Sequence, residues 1–200
     1  MKNKKIFLFI DGSNLYASQY DLFGPDKFLE FSIFLKKIEN KLRLKFHKIY
    51  FYASYSPKSL KPTNKEKGYL KNEALFYKSA KKVKDLEFFT GYRSKTSGKE
   101  KEVDVKLTAD LVSLAFLNRF DVCYLFTGDA DFLQALFNIK RHHNRKSMYL
   151  ICMENKIMYK GSFYFKTFIV SFNHKQIKFH KKQTVEFLNI ESREVVEEIK

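Results

Sequence analysis

Two aspartates follow directly after a buried strand in the middle of the chain. Residues 122–126 form a continuous apolar run, and Thr127 and Gly128 predict a tight turn that leads to Asp129 and Asp131. Two carboxylates separated by one residue repel each other unless positive charge lies close to both of them. Because hard divalent cations prefer oxygen ligands, this pair predicts a Mg²⁺ or Mn²⁺ site.

A third aspartate ends the first predicted strand. Residues 6–10 are apolar, and Asp11 follows them. In a doubly wound sheet, ligands bind beyond the carboxyl ends of the strands, where the first and fourth strands are commonly neighbours. We therefore expect Asp11 to meet Asp129 and Asp131. Asp104, in the first turn of a predicted helix, is expected to complete the group.

Four such carboxylates would hold one or two ions and leave coordination positions for water and a phosphate oxygen. A site of this kind lowers the pKa of bound water and stabilises attacking and leaving oxygens, so a phosphodiester is its expected substrate. Each acid also has a structural interpretation. Asp104 complements a helix dipole, and Asp129 or Asp131 caps the helix that follows. Asp110 lies about 240° around the helix from Asp104, so we expect it to support the site or to lie on the surface.

The formal net charge of +16 is unevenly distributed along the chain. Residues 57–101 carry 13 Lys and Arg against 5 Asp and Glu, and residues 140–182 carry 11 against 1. Residues 102–139, in contrast, carry 2 basic against 6 acidic residues. A basic surface attracts polyanions by releasing counterions, which favours RNA as a partner. A solvated surface without a nucleic-acid partner is the alternative that charge alone leaves open.

Strands alternate with helices between residues 5 and 152, which predicts an α/β fold with a mainly parallel central sheet. The five predicted strands are residues 5–10, 47–53, 86–92, 122–126 and 147–152. The predicted helices begin near residues 26, 64, 103 and 133. Residues 159–172 fit either a strand or a short helix, and residues 185–200 are predicted to be helical.

The length and composition favour one domain over residues 1–152 with a C-terminal extension, residues 153–200, packed on it. No apolar run approaches the ~18 residues that a membrane helix needs, and the apolar run after the basic start is too short for a signal peptide. Cys123 and Cys152 lie in apolar, strand-like runs without the CxxC spacing of a zinc site. We therefore expect free buried thiols in a reducing cytoplasm.

Three segments resemble the NYN domain family, the LabA-like members of the PIN-like metal-dependent nuclease superfamily. They are Asp11-Gly12-Ser13-Asn14, Lys101-Glu102-Val103-Asp104 with Leu107 and Asp110, and Thr127-Gly128-Asp129-Ala130-Asp131-Phe132. The resemblance covers about residues 5–152, with the motifs in family order. It implies a three-layer α/β/α PIN-like domain whose sheet has about five strands in the order 3-2-1-4-5. It also implies a metal site that cuts RNA.

The resemblance also implies roles for individual residues. The implied metal ligands and catalytic residues are Asp11, Asp104, Asp129 and Asp131. The implied substrate-binding residues are Ser13, Asn14, Arg93, Lys99, Lys101 and Thr127. Two positions depart from the family pattern: Thr127 stands where Ser is usual, and Glu102 stands where Gly is usual. Residues 153–200 match the family's usual ending poorly.

The expected function is therefore that of a metal-dependent endoribonuclease, using Mg²⁺ or Mn²⁺ on single-stranded or structured RNA, with a homodimer left open. An RNA-binding regulatory module that keeps this fold but has little or no turnover is the main alternative. A phosphohydrolase of the haloacid-dehalogenase type is least supported. That family needs a nucleophilic DxD directly after the first strand, whereas Asp11 is followed by Gly12 and Ser13.

Overall fold

The structure is a computed structural model that describes residues 4–93, 100–173 and 177–199, without the side chains of residues 92, 93, 100 and 101. Its strands are β1 (Ile6–Asp11), β2 (Lys27–Leu29), β3 (Lys48–Ser54), β4 (Leu86–Arg93), β5 (Glu100–Lys101), β6 (Val122–Phe126), β7 (Ser147–Met153), β8 (Thr167–Ser171), β9 (Val185–Asn189) and β10 (Val196–Glu198). Its helices are α1 (Gly12–Phe23), α2 (Phe31–Leu42), α3 (Asn64–Lys81), α4 (Val103–Phe116) and α5 (Leu133–His142).

The main sheet has the strand order β5-β4-β3-β1-β6-β7-β8-β9. All its neighbours pair in parallel except β4 and β5, which pair antiparallel. The predicted α/β class with a mostly parallel sheet is confirmed. The five predicted strands keep the order 3-2-1-4-5 as β4-β3-β1-β6-β7, but the sheet is longer than predicted, because β5 extends one edge and β8 and β9 extend the other.

Helices cover both faces of this sheet. Successive side chains of a strand point to opposite faces, so Leu8 and Ile10 of β1 enter one core cluster and Phe9 enters the other. The first cluster includes buried residues of α1, α2 and α3, and the second includes those of α4 and α5. Burial on both faces explains why β1 and β6 are continuously apolar rather than alternating. The result is the predicted three-layer arrangement.

Two predictions of helix position are wrong. The helix expected from residue 26 begins at Phe31, because residues 27–29 form β2 and Glu30 caps the helix by accepting a hydrogen bond from the Ile33 N–H at 3.0 Å. The tail, predicted to be helical over residues 185–200, contains no α-helix in its described part, residues 185–199, and only a 3₁₀ turn at Ser192–Glu194. Its β9 pairs with β8, and its β10 pairs antiparallel with β2. These long-range pairings override the local preference of a glutamate-rich segment.

Residues 159–172 contain both predicted alternatives in succession, a 3₁₀ turn at Gly161–Phe163 and then β8. The helix α1, at residues 12–23, was not predicted. Cys123 and Cys152 are free and buried. Within the part of the chain that the structure describes, no helix combines the length and apolarity that crossing a membrane requires.

Candidate active site

Asp11 and Asp129 lie at the same edge of the sheet and are connected through one hydroxyl group. The strands β1 and β6 are parallel neighbours, with Ile10 opposite Phe126, so the segments that follow the two strands leave the sheet side by side. The Thr127 hydroxyl donates to Asp11 Oδ2 at 2.9 Å and accepts from the Asp129 N–H at 3.0 Å. Two acids far apart in the sequence are thus positioned by a single side chain between them.

Asn14 reinforces this connection from the first turn of α1. Its N–H donates to Asp11 Oδ1 at 3.0 Å, so Asp11 is the N-cap of the helix. The Asn14 side-chain oxygen accepts from the Gly128 N–H, also at 3.0 Å. The loop after β1 and the loop after β6 therefore hold each other in place. Asp11 itself is only 5 % exposed.

The other two predicted acids lie further out. Asp129 is half-buried and caps the 3₁₀ turn Ala130–Phe132, accepting from the Asp131 N–H at 2.9 Å. Asp131 and Asp104 are exposed, and both line an open cavity of about 380 Å³ between the first two turns of α4 and the 3₁₀ turn that precedes α5. Most of the remaining lining is apolar and includes Val105 and Phe132. Asp104 and Asp131 therefore share an opening at the edge that carries Asp11 and Asp129.

The four acids form two pairs rather than one closed cluster. Among the residues that the structure describes, no group of three or more His, Cys, Asp or Glu side chains is placed to hold a metal ion. The donor set nevertheless fits a hard divalent cation in its chemistry, because it consists of carboxylate oxygens. Of these acids, Asp11 and Asp129 are the pair whose positions are fixed by hydrogen bonds to a common partner.

Of the residues predicted to bind substrate, three make hydrogen bonds within the protein, and the side chains of the other three lie outside the part that the structure describes. The Ser13 hydroxyl accepts from the Ser54 N–H at 3.3 Å, which ties α1 to β3. Thr127 and Asn14 organise the loops, as described above. Lys99 lies outside the described residues. Arg93 and Lys101 belong to β4 and β5, but their side chains lie outside the description.

Asp110, the second aspartate of α4, accepts hydrogen bonds from two neighbouring side chains. Its carboxylate accepts from the Tyr52 hydroxyl at 2.9 Å and from Lys106 Nζ at 2.7 Å. Burial raises the pKa of the Tyr52 hydroxyl, and the nearby Asp110 carboxylate raises it further. Tyr52 therefore remains a hydrogen-bond donor at any physiological pH, and Asp110 anchors α4 to β3.

The turn at residues 155 and 156 also supports the site, and sequence reasoning missed it. A Cβ on Gly128 would overlap the carbonyl oxygen of Lys156, so the two loops are in close backbone contact. Asn155 holds this turn on α1, since its side chain donates to the Ser18 carbonyl at 3.0 Å and its oxygen accepts from the Ser18 hydroxyl. No spacing rule links residue 128 to residue 156; only the conspicuous glycine between Thr127 and Asp129 pointed to a close approach.

Glu102, where the family usually has Gly, adopts a backbone conformation that favours glycine. Its φ is 79° and its ψ is −31°, directly before α4 begins, and its side chain makes no capping hydrogen bond to the helix. L-residues with a Cβ are strained at such positive φ values. The substitution therefore strains the chain two residues before Asp104.

Comparisons with known proteins identify the family of the chain and support its fold. The family model described as the NYN domain matches residues 5–170. The crystal structure of a protein of unknown function from Vibrio parahaemolyticus is similar to this chain, with a TM-score of 0.56 and 18 % sequence identity. The similarity covers 83 % of this chain and 91 % of that chain, and it supports the fold alone. No match was found among curated proteins.

Proposed function

Because the chain belongs to the NYN domain family, a family of PIN-like, nuclease-type domains, we propose that it is a metal-dependent endoribonuclease. It would hydrolyse phosphodiester bonds of RNA at the edge of the sheet that carries Asp11 and Asp129. The single observation that carries this proposal is the position of the Thr127 hydroxyl, which donates to the Asp11 carboxylate and accepts from the Asp129 N–H.

The acids would hold the divalent ion. Asp11 and Asp129 are the first candidates because their positions are fixed, and Asp131 and Asp104 border the adjoining cavity. When bound, a Mg²⁺ or Mn²⁺ ion supplies a Lewis acid that lowers the pKa of water and stabilises charge on phosphate oxygens. The chain's own contribution is positional: Asn14 and Thr127 restrain the loops that carry Asp11 and Asp129.

The charge distribution supports an RNA substrate. Asp104, Asp129 and Asp131 sit in residues 102–139, the only segment defined above that has an excess of acidic residues, and the segments on either side of it are strongly basic. Basic residues attract the phosphate backbone, while the carboxylates would repel it unless a cation neutralises them. The combination therefore favours a metal-dependent reaction on a polyanion. Lys99 and Lys101, just before α4, and Arg93 are proposed to contact phosphates.

Substitution of Asp129 by Asn tests this function. The change keeps the size and the oxygen that caps the 3₁₀ turn but removes the charge. We expect cleavage of a fluorescently labelled RNA with Mg²⁺ or Mn²⁺ to fall by about 100-fold or more, since metal ligands contribute at least as much as the groups that orient them. Chelator should abolish the wild-type activity, and RNA binding in filter assays should survive.

Asp85→Asn is the matched control. Asp85 is an exposed aspartate directly before β4, at the opposite end of the strands, and its φ of 64° is one that asparagine accepts. Cleavage by this variant should equal that of the wild type. Equal cleavage by wild type and Asp129→Asn would instead identify a contaminating nuclease and remove the proposal.

Two observations favour a second candidate function, an RNA-binding regulatory module with little or no turnover. The four acids form two pairs, and Glu102 strains the approach to Asp104. Tight RNA binding without metal-stimulated cleavage of any tested RNA would support this alternative. A crystal soaked in Mn²⁺ separates the two functions directly, because anomalous density at Asp11 and Asp129 is expected only if the acids bind the ion.

A further inference from the structure

The helix α4 is apolar on two opposite faces. Its inward face packs into the second core cluster through Val103, Leu107, Leu111 and Ala115, all of them buried. Its outward face carries a second row, Val105, Ala109, Val112 and Phe116. At 100° per residue, this outer row spans only about 60° of the helix circumference. We refer to these four residues as the outer stripe.

Within the described residues, most of the outer stripe is exposed to solvent, while Val112 packs against the second core cluster and Phe116 contacts His142 and His143. Val105 is 73 % exposed and Phe116 45 %, Ala109 is exposed, and Val112 is partly buried. The neighbouring Leu117 is 67 % exposed. A surface helix normally presents charged or polar residues on the side away from the core. A continuous apolar row in that place indicates a partner surface.

The spacing of the residues in the outer stripe is compatible with twofold packing against α4 of a second copy. Val105 and Phe116 lie at equal distances from the midpoint between Ala109 and Val112. A twofold axis through that midpoint would place Val105 of one copy against Phe116 of the other. The small Ala109 beside the axis would let the two backbones approach closely. This is the self-complementary pattern that a closed dimer interface requires.

Charge favours the antiparallel arrangement. The amino-terminal end of the stripe lies beside Asp104 and Asp131, which share its cavity. At the other end, Phe116 contacts His142 and His143, with ring centroids 5.8 and 4.6 Å apart. Arg119 and Arg145 follow nearby in the chain. Antiparallel packing brings unlike ends together, whereas parallel packing would bring the acidic ends together.

The rest of the molecule offers a poorer surface for self-association. With a formal charge of +16, two copies repel each other across most of their surfaces. Residues 102–139 are the exception, with 6 acidic against 2 basic residues. An interface on α4 therefore avoids the basic surfaces, and the antiparallel orientation keeps the acidic ends of the two copies apart.

We propose that the outer stripe of α4 is a homodimer interface, in which two copies of the chain pack α4 against α4 in antiparallel orientation. Four side chains per copy cover less than the roughly 800 Å² per partner of a standard interface, so the dimer is a weak one with a dissociation constant in the micromolar range. Val105 and Ala109 also line the cavity of Asp104 and Asp131, so dimerisation would restrict access to that cavity, and the test below measures association alone.

Sedimentation equilibrium of the full chain tests the surface. Val105→Glu places a charge opposite the apolar Phe116 of the partner, and it should raise the dissociation constant by at least about tenfold. Leu60→Glu is the matched control, because Leu60 is fully exposed in the loop before α3 and lies off the stripe. A wild type that stays monomeric throughout the micromolar range, or a Val105→Glu variant that dimerises normally, would overturn the proposal.

Cross-linking tests the orientation. In the antiparallel dimer, Val105 of the two copies would be about 16 Å apart along the axis, too far for a disulfide, which needs Cα atoms within about 7 Å. Val105→Cys and Phe116→Cys proteins should therefore cross-link when mixed under oxidation, and Val105→Cys alone should not. Cross-linking of Val105→Cys to itself would contradict the antiparallel arrangement. The native Cys123 and Cys152 do not interfere, because both are buried and burial raises their pKa.

Discussion

At the scale of single residues, the Thr127 hydroxyl is the most consequential group of the candidate site. It is buried, and it both donates to Asp11 and accepts from the Asp129 N–H. A hydroxyl is the simplest group that can do both, since it has one donor and two acceptor positions. The family's usual serine would serve equally well, which explains why this departure is compatible with the site.

Thr127→Val removes the hydroxyl while it keeps the shape of the side chain. The Asp11 carboxylate loses a donor and the Asp129 N–H loses its acceptor, so the free energy of unfolding should fall by about 1–3 kcal/mol. Urea denaturation measures the change, and Thr127→Ser, which retains the hydroxyl, should remain close to the wild type. A valine variant as stable as the serine variant would show that this hydrogen-bonded bridge contributes little.

Glu102→Gly should stabilise the protein. The backbone there has a φ of 79°, where a Cβ costs about 1–2 kcal/mol, and the Glu102 side chain makes no capping hydrogen bond that would be lost. Glycine is more flexible in the unfolded chain, which offsets part of this gain. We expect a net gain of about 1 kcal/mol and a rise in Tm of about 2–4 °C. Glu102→Ala keeps the Cβ and should give no comparable increase.

At the scale of elements, the loop after β6 is held from two sides. Asn14 binds it from α1, and the Lys156 turn packs on Gly128 from the loop after β7. The connections that follow β1, β6 and β7, which are neighbours in the sheet, thus form one contact network at its carboxyl end. Movement of any of them would change the position of Asp129.

Gly128→Ala should disrupt this network, because the added methyl group overlaps the Lys156 carbonyl oxygen, which belongs to the backbone and cannot rotate away. We expect a loss of about 1–3 kcal/mol in the free energy of unfolding. Gly68→Ala is the control: Gly68 lies in α3 with open space where the methyl group would sit, and alanine there should stabilise by up to about 1 kcal/mol. Thermal melts of the two variants should therefore shift in opposite directions.

The elements that sequence reasoning predicted are those with local signals. The convergence of Asp11 and Asp129 could be predicted because both follow apolar runs, and parallel strands end at one edge. The finding that no three of the described acids are placed together to hold a metal ion could not be predicted, because it depends on how α4 and the turn before α5 are placed. The segment of α1 mixes polar and apolar residues, so its period is weak. β9 pairs with β8 and β10 pairs with β2, and no local sequence pattern predicts such long-range pairing.

At the scale of the whole molecule, basic residues lie at both ends of the strands, and Asp11 and Asp129 lie at the carboxyl end. The loop before α3 and the first turn of that helix, which carry Lys58, Lys61 and Lys65, follow the carboxyl end of β3. They therefore lie on the side of the sheet where Asp11 is found. Arg141 lies in the last turn of α5 and Arg145 in the loop between α5 and β7, at the opposite ends of the strands. Only the first group is well placed to guide RNA to the acids.

Replacing Lys58, Lys61 and Lys65 by Gln should weaken RNA binding and reduce its salt dependence. For single-stranded RNA, each lost phosphate contact lowers the slope of log K against log salt by about 0.7. Fluorescence anisotropy over a range of salt concentrations measures both effects. The Arg141→Gln, Arg145→Gln double variant should bind RNA nearly as the wild type does, and a larger loss in this variant would place the RNA at the other end of the sheet.

The central position of β1 has a consequence for how the chain acquires its activity. One neighbour of β1 is β3, but the other is β6, and the Thr127–Asp11 hydrogen bond spans 116 residues of sequence. Parallel pairing over such separations is intrinsically slow, because the intervening loop entropy is lost before the contacts form. A refolding chain can therefore carry its helices and its first strand pair while the two acids are still apart. We therefore expect the candidate site to form late on the folding pathway, after the helices and the first strand pair.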